Sequence, residues 1–192
     1  VFCGVRRRTE QKGLKFWLAG IGGVVDRGAA RAVLGTGERW LEDGLIRAAR
    51  QYPGSVSTVI GYGENLAHLM QGGADAILIR SRFEPCGLTQ LYGLRYGTIP
   101  VVARTGGLAD TVIDANPASL AVGAATGVVF APITADALGD ALDRTCLLYR
   151  ERDTWATMVR RAMAHPLVLD RPALAYTPLL AHPPRNPTHR PP

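Results

Sequence analysis

Lysine is nearly absent: of the 22 basic residues only Lys12 and Lys15 are lysines, and the other 20 are arginines. The arginines are scattered, with one dense run at Arg6-Arg7-Arg8, and aromatic residues, 7% of the chain, do not interleave with them. A net charge of +6 therefore reads as solvated surface, and no nucleic-acid partner is expected. Cysteine is scarce too. Cys3, Cys86 and Cys146 form no C-x-x-C, which excludes a disulfide framework and a zinc ribbon and fits a reducing cytoplasm. His68, His165, His182 and His189 have no ligand spacing, so no metal is expected. Residues 117–135 carry no charge, but Gly123, Thr126, Gly127 and Pro132 interrupt them, and no membrane span is expected. No signal-peptide pattern, internal repeat or heptad is visible.

What remains is an ordinary globular composition, 47% hydrophobic and 20% charged over 192 residues, enough for one α/β domain with a core. The chain opens on Val1 inside a strand-like run, Val1 to Val5, and is expected to be a piece of a longer chain. A polar loop, R-R-R-T-E-Q-K-G, follows. A helical pattern opens at Gly13 with Leu14, Phe16, Trp17 and Ile21. Gly20, Gly22, Gly23 and Gly28 weaken it, each by roughly 1 kcal/mol relative to Ala if interior, which predicts a short or broken helix.

Ala32-Val33-Leu34 reads as a second strand ending in Gly35-Thr36-Gly37, followed by a helical face of Trp40, Leu41, Gly44, Leu45 and Ala48. Val56–Ile60 is a third strand, ending in Gly61-Tyr62-Gly63, with Leu66, Leu69 and Met70 on the next helix. Ala76–Ile79, Thr98–Ala103 and Gly127–Phe130 are strands four to six, and the fifth is apolar enough for a buried parallel strand. The fifth runs into Arg104-Thr105-Gly106-Gly107 and a helix through Ala109, Val112 and Ile113. Thr134 is placed to cap a helix carrying Leu138, Ala141, Leu142 and Thr145, and a last helix holds Trp155, Met158, Val159 and Ala162. Six alternating units predict an α/β, Rossmann-like doubly wound parallel sheet over residues 1–164. Residues 165–181 read as a divergent helical segment and 182–192, rich in proline and without apolar content, as a disordered tail.

The central stretch is residues 81–97, S-R-F-E-P-C-G-L-T-Q-L-Y-G-L-R-Y-G. Pro85 suits a first helical position, which puts Glu84 at the N-cap, with Leu88, Leu91, Tyr92 and Tyr96 following at helical spacing and Gly97 at the end. A carboxylate and free backbone N–H groups would then sit at the carboxyl end of a strand, where open α/β sheets bind ligands. Taken alone, E-P-x-G fits a capping Glu84 beside a core Cys86 equally well. Arg80, just before the stretch, needs either solvent or a phosphate.

Residues 74–116, and above all E-P-C-G-L-T-Q-L-Y with R-T-G-G-L-A-D-T-V, resemble the bacterial glycogen synthases and plant starch synthases. The likeness extends from Val1 to about Tyr176 and includes the loop R-x-T-E-Q-K-G. It implies a two-domain GT-B glycosyltransferase of which this is the carboxyl-terminal, donor-binding half. The amino-terminal acceptor domain, with its K-x-G-G-L loop, is absent from the sequence. The implied activity is a retaining transfer of glucose from ADP-glucose to the non-reducing end of an α-1,4-glucan, with no cofactor beyond the substrate. An inactive ADP- or ADP-sugar-binding fragment is the alternative.

Site roles follow residue by residue from that resemblance. Arg7 and Lys12 match the donor-phosphate pair, and two fixed cations there stabilise the charge on a departing diphosphate. Arg6 and Arg8 depart from the family and would either compete for the phosphates or face solvent. Glu84 would accept glucose hydroxyls, with the backbone of Cys86, Gly87 and Leu88 facing the same sugar. Thr105, Gly106 and Gly107 would add hydroxyl and backbone donors, and Gly35, Thr36, Gly37 and Tyr62 would border the nucleotide. Tyr92 stands where related families carry a second glutamate and could stack on adenine. A helix N-terminus would keep Glu84 ionised, and no second carboxylate sits near it in the motif to make a hydrolase pair.

Overall fold

A computed structural model describes residues 1–5 and 14–166, with the side chains of 14–19 excepted. Six short apolar runs form one sheet: β1 (Phe2–Val5), β2 (Arg31–Gly35), β3 (Val56–Ile60), β4 (Ala76–Ile79), β5 (Ile99–Ala103) and β6 (Val128–Phe130). Its order is β3-β2-β1-β4-β5-β6, and every pairing is parallel. The doubly wound sheet expected from the sequence is therefore present, with helices supplying the crossovers that parallel pairing requires.

Burial explains the sequence of each strand. β4 and β5 are buried at every residue, as strands covered on both faces must be, whereas the edge strand β3 alternates. The largest core gathers Leu78, Leu94, Val101, Phe130, Leu142 and Trp155, among others, from the β4–β6 half and the helices α4 (Thr89–Tyr96), α7 (Ala135–Arg150) and α8 (Arg152–Met163). A smaller core joins Ile21 to Val33, Leu41, Leu45 and Val56, between α1 (Leu14–Val25), α2 (Arg39–Gln51) and the β2–β3 side. Thr134 caps α7 as expected, accepting from the Ala137 N–H at 3.3 Å. Gly97 closes α4 with φ 76°, where a β-carbon would press on Val159 and Met163 of α8.

Three expectations are corrected. α1 is neither short nor broken: it runs twelve residues through Gly20, Gly22 and Gly23. Its glycines serve packing, since a β-carbon on Gly20 would lie 3.1 Å from the Arg80 guanidinium and 3.2 Å from Leu138. Tertiary contact here outweighs local propensity. The helix of the central stretch starts at Thr89, not Pro85, so Glu84 and Pro85 belong to a loop and Leu88 is the N-cap. Finally, the helix after Gly106, α5 (Gly106–Thr111), stops before Val112 and Ile113. Thr126 Oγ1 accepts from the Ile113 N–H at 2.8 Å, and Asp114 Oδ1 accepts from Val129 N–H at 2.7 Å, drawing the chain onto β6. A further short helix, α6 (Pro117–Ala121), follows under a capping box between Asn116 and Ser119.

Candidate functional site

The chain winds outward from β1 to β2 and β3, then returns to lay β4 on the other side of β1. The order therefore reverses between β1 and β4, and the carboxyl ends of these two strands mark the place where doubly wound sheets receive ligands. The loop after β4 holds Glu84–Leu88. β1 ends at Val5, and Arg7 and Lys12 lie outside the described residues. Gly35-Thr36-Gly37 follows β2, Tyr62 follows β3, and Thr105-Gly106-Gly107 follows β5. All the described loop candidates therefore occupy one rim of the sheet.

They fall into two groups on that rim. Val5, Gly35, Thr36, Gly61, Tyr62 and Gly63 border a small hollow of about 80 Å³ at the tips of β1, β2 and β3. Tyr62 is 82% exposed there, and the Gly37 N–H is held by Glu42 Oε1 at 2.9 Å. The second group is the Glu84 loop packed on α5. Glu84 is buried, and Ser81, also buried, donates its hydroxyl to Glu84 Oε2 at 2.9 Å. The Ser81 hydroxyl is one partner of the Glu84 carboxylate, and α5 begins beside the same loop, its Gly107 N–H donating to the Glu84 carbonyl.

The Gly-rich turn is occupied differently from expectation. The Gly107 N–H donates to the Glu84 carbonyl at 3.0 Å, and the Thr105 hydroxyl to the Arg82 carbonyl at 3.3 Å. Those two donors bind the neighbouring loop in this structure and do not point outward together. The approach is so close that a β-carbon on Gly106 would overlap the Glu84 carbonyl, and one on Gly107 the Cys86 carbonyl. Cys86 itself is exposed, as is Leu88. Tyr92 joins neither group: its ring stands edge-on to His68 at 5.9 Å, and His68 Nδ1 is hydrogen-bonded to Tyr96 Oη at 2.8 Å.

Arg80 does not reach solvent. It is buried beneath Gly20, and desolvation first, then the charge of buried Arg31, holds its pKa well below the usual arginine value. Burial pushes the Cys3 thiol up to about 12, so that sulfur is inert packing. Sequence reasoning missed Phe83, 69% exposed beside Glu84, and the buried Ser81 and Gln90. An aromatic residue in a polar loop was the available signal for Phe83. The larger cavity, about 470 Å³, opens at the opposite edge between Phe2, Arg27, Tyr149 and Trp155 and gathers none of the rim residues. Among the described residues no group of three His, Cys, Asp or Glu could hold a metal ion, and no helix is long and apolar enough to cross a membrane.

A parallel six-stranded sheet with loops gathered on one rim is a Rossmann-like, ligand-binding frame, and sequence comparison gives its family. The chain belongs to the glycosyl transferases group 1 family, whose profile matches residues 2–161. Within that family it is 61% identical over 92% of its length to the glycogen synthase of Roseobacter denitrificans, and 54% identical over 90% to that of a Jannaschia species. It spans about 37% and 36% of the length of those two relatives. The catalytic domain of starch synthase IV from Arabidopsis thaliana, bound to ADP and acarbose, superposes with a TM-score of 0.86 at 27% identity. That match covers 94% of this chain and 37% of the other. The carboxyl-terminal domain of a Francisella tularensis group 1 glycosyl transferase shares the fold, with a TM-score of 0.65 at 15% identity over 86% of this chain and 83% of that one. The fold is thus the Rossmann-like carboxyl-terminal half of a GT-B glycosyltransferase.

Proposed function

We propose that this chain is the donor-binding half of a retaining glucosyltransferase that moves glucose from ADP-glucose to the non-reducing end of an α-1,4-glucan. The observation that carries the reading is the convergence of the β2, β3, β4 and β5 loops on the rim beside the carboxyl ends of β1 and β4. Arg7 and Lys12 hold the diphosphate, where fixed positive charge favours the departing group more than the bound ground state. Glu84, held by Ser81, accepts hydroxyls of the glucose ring. Tyr62, exposed at the tip of β3, offers a flat apolar face for the nucleobase. The leaving phosphate takes the acceptor's proton, so the protein chiefly orients the donor and supports the charge that develops. A Roseobacter glycogen synthase 61% identical to this chain, and the ADP named with the Arabidopsis enzyme, support the choice of donor and acceptor.

Calorimetric titration tests the donor assignment. ADP-glucose is expected to bind, UDP-glucose to bind more weakly, and Lys12→Ala to weaken ADP by about 10- to 100-fold, the worth of a charged hydrogen bond. Unchanged ADP affinity would remove Lys12 from the site. A second reading is that these 192 residues by themselves bind the nucleotide sugar without transferring it. Glucan elongation from labelled ADP-glucose by these 192 residues alone would exclude that reading.

A further inference from the structure

Gln90 is fully buried in the first turn of α4, and the proposed sugar-binding roles leave it without one. Its side-chain nitrogen donates to the Cys86 carbonyl at 3.0 Å and to Thr111 Oγ1 at 3.2 Å. Thr111 passes its own hydroxyl proton to the Gly107 carbonyl, and the Gly107 N–H donates to the Glu84 carbonyl. The bonds close a circuit: Glu84, Gly107, Thr111, Gln90, Cys86 and back along the chain to Glu84. Gly87 lies directly on the amide, where a β-carbon would meet Gln90 Oε1 at 2.5 Å. A buried amide with both donors used and a loop folded over it is more than a filler of space. Together with the Gly107 N–H, which holds the Glu84 carbonyl, it ties the loop to α5 at Glu84 and at Cys86.

We infer that Gln90 is a positioning residue that locks the Glu84 loop and the Gly106-Gly107 turn into a single rigid unit, so that the sugar-facing loop cannot adjust independently of its neighbour. The consequence for the ligand rests on the donor reading above. With Gln90 in place, Glu84 meets the glucose ring in a prearranged position. Without it, the loop must be ordered at the moment of binding, and discrimination between the nucleotide sugar and the bare nucleotide falls. Binding of the diphosphate, assigned above to Arg7 and Lys12, stays as it was.

The test compares wild type, Gln90→Leu, Thr111→Val and, as a packing control remote from the rim, Leu148→Ala. Two quantities are read on each folded protein: the hydrogen-exchange rate of the Gly107 amide, followed by NMR, and the ratio of ADP-glucose to ADP affinity. The Gly107 N–H donates to the Glu84 carbonyl, so the first readout reports the hold on the loop without any ligand. Gln90→Leu is expected to speed Gly107 exchange and lower the affinity ratio, each by about tenfold, with ADP affinity retained. Thr111→Val, which severs one link, should shift both in the same direction by about threefold. Leu148→Ala should move neither. Folded Gln90→Leu protein with wild-type exchange and wild-type ratio overturns the lock, as does an equal shift in the Leu148→Ala control. Faster exchange in Gln90→Leu, combined with a wild type that shows no preference for ADP-glucose, supports the lock and overturns the donor reading instead.

Discussion

Two glycine-bearing turns on the same rim look alike in sequence and differ in what their missing side chains make room for. At Gly106-Gly107 the space belongs to the protein: the carbonyls of Glu84 and Cys86 sit where β-carbons would be. At Gly61-Tyr62-Gly63 the space is open. Among the described residues nothing lies within 4 Å of a β-carbon built on Gly61, and on Gly63 the nearest atom is Leu66 Cβ at 3.6 Å. The first turn has been used to assemble the site, while the second remains available to something that arrives. A G-x-G or G-G at a strand end therefore marks a close approach without telling whether the partner is the chain or a ligand.

Substitutions sharpen that contrast. The largest effect is expected for Gly107→Ala, since backbone and not a yielding side chain blocks the new carbon. Overpacking of this kind should destabilise by about 3 kcal/mol, read from urea denaturation, and loosen the Glu84 loop with it. A harmless Gly107→Ala would mean that the two loops do not meet as described. Gly61→Ala should cost less, about 1–2 kcal/mol, entirely from a backbone φ of 150° that favours glycine. Gly63, at φ −158°, is extended backbone with free space, so Gly63→Ala should change stability by no more than about 0.5 kcal/mol. If Gly63→Ala nonetheless weakens ADP binding, the open turn faces the nucleotide.

The smallest effect lies away from the rim. Arg27 at the end of α1 grips Asp143 of α7 at 2.7 Å and also donates to the Gly23 and Gly139 carbonyls. The hydrogen bond from Arg27 holds the Asp143 carboxyl below its usual value of 3.8. A depressed carboxyl contributes stability that is present above its unfolded value and lost as pH falls through the lower folded one. Asp143→Asn should accordingly flatten the acid limb of a stability-versus-pH curve below about 3.8 and leave it unchanged at neutral pH apart from a small offset. An unaltered acid limb would show that the pair contributes nothing.

The frame was legible because burial writes itself into short apolar runs: Ala76–Ile79 and Ile99–Ala103 are buried at every position. The rim was legible because polar and glycine residues gather where those runs end. Boundaries decided by remote contacts were not. Local propensity makes Gly20 a helix breaker, and only its packing on Arg80 and Leu138 makes it an asset. Pro85 fits a helix start as well as a loop, and the Glu84–Gly107 bond lies with the loop. The role of Gln90 was hidden for a different reason. Its partners, Cys86 and Thr111, are 4 and 21 residues away, and no periodicity links them.

The seating of α8 on Gly97 carries a last implication. Val159 and Met163 cover the far end of the helix whose near end follows the Glu84 loop, and Trp155, Met158 and Ala162 fill the larger core. A ribosome must therefore translate past residue 163 before α4 is clamped at both ends. A nonsense codon soon after Arg150 would yield a polypeptide that retains every rim residue yet leaves the Glu84 loop mounted on a support fastened on one side.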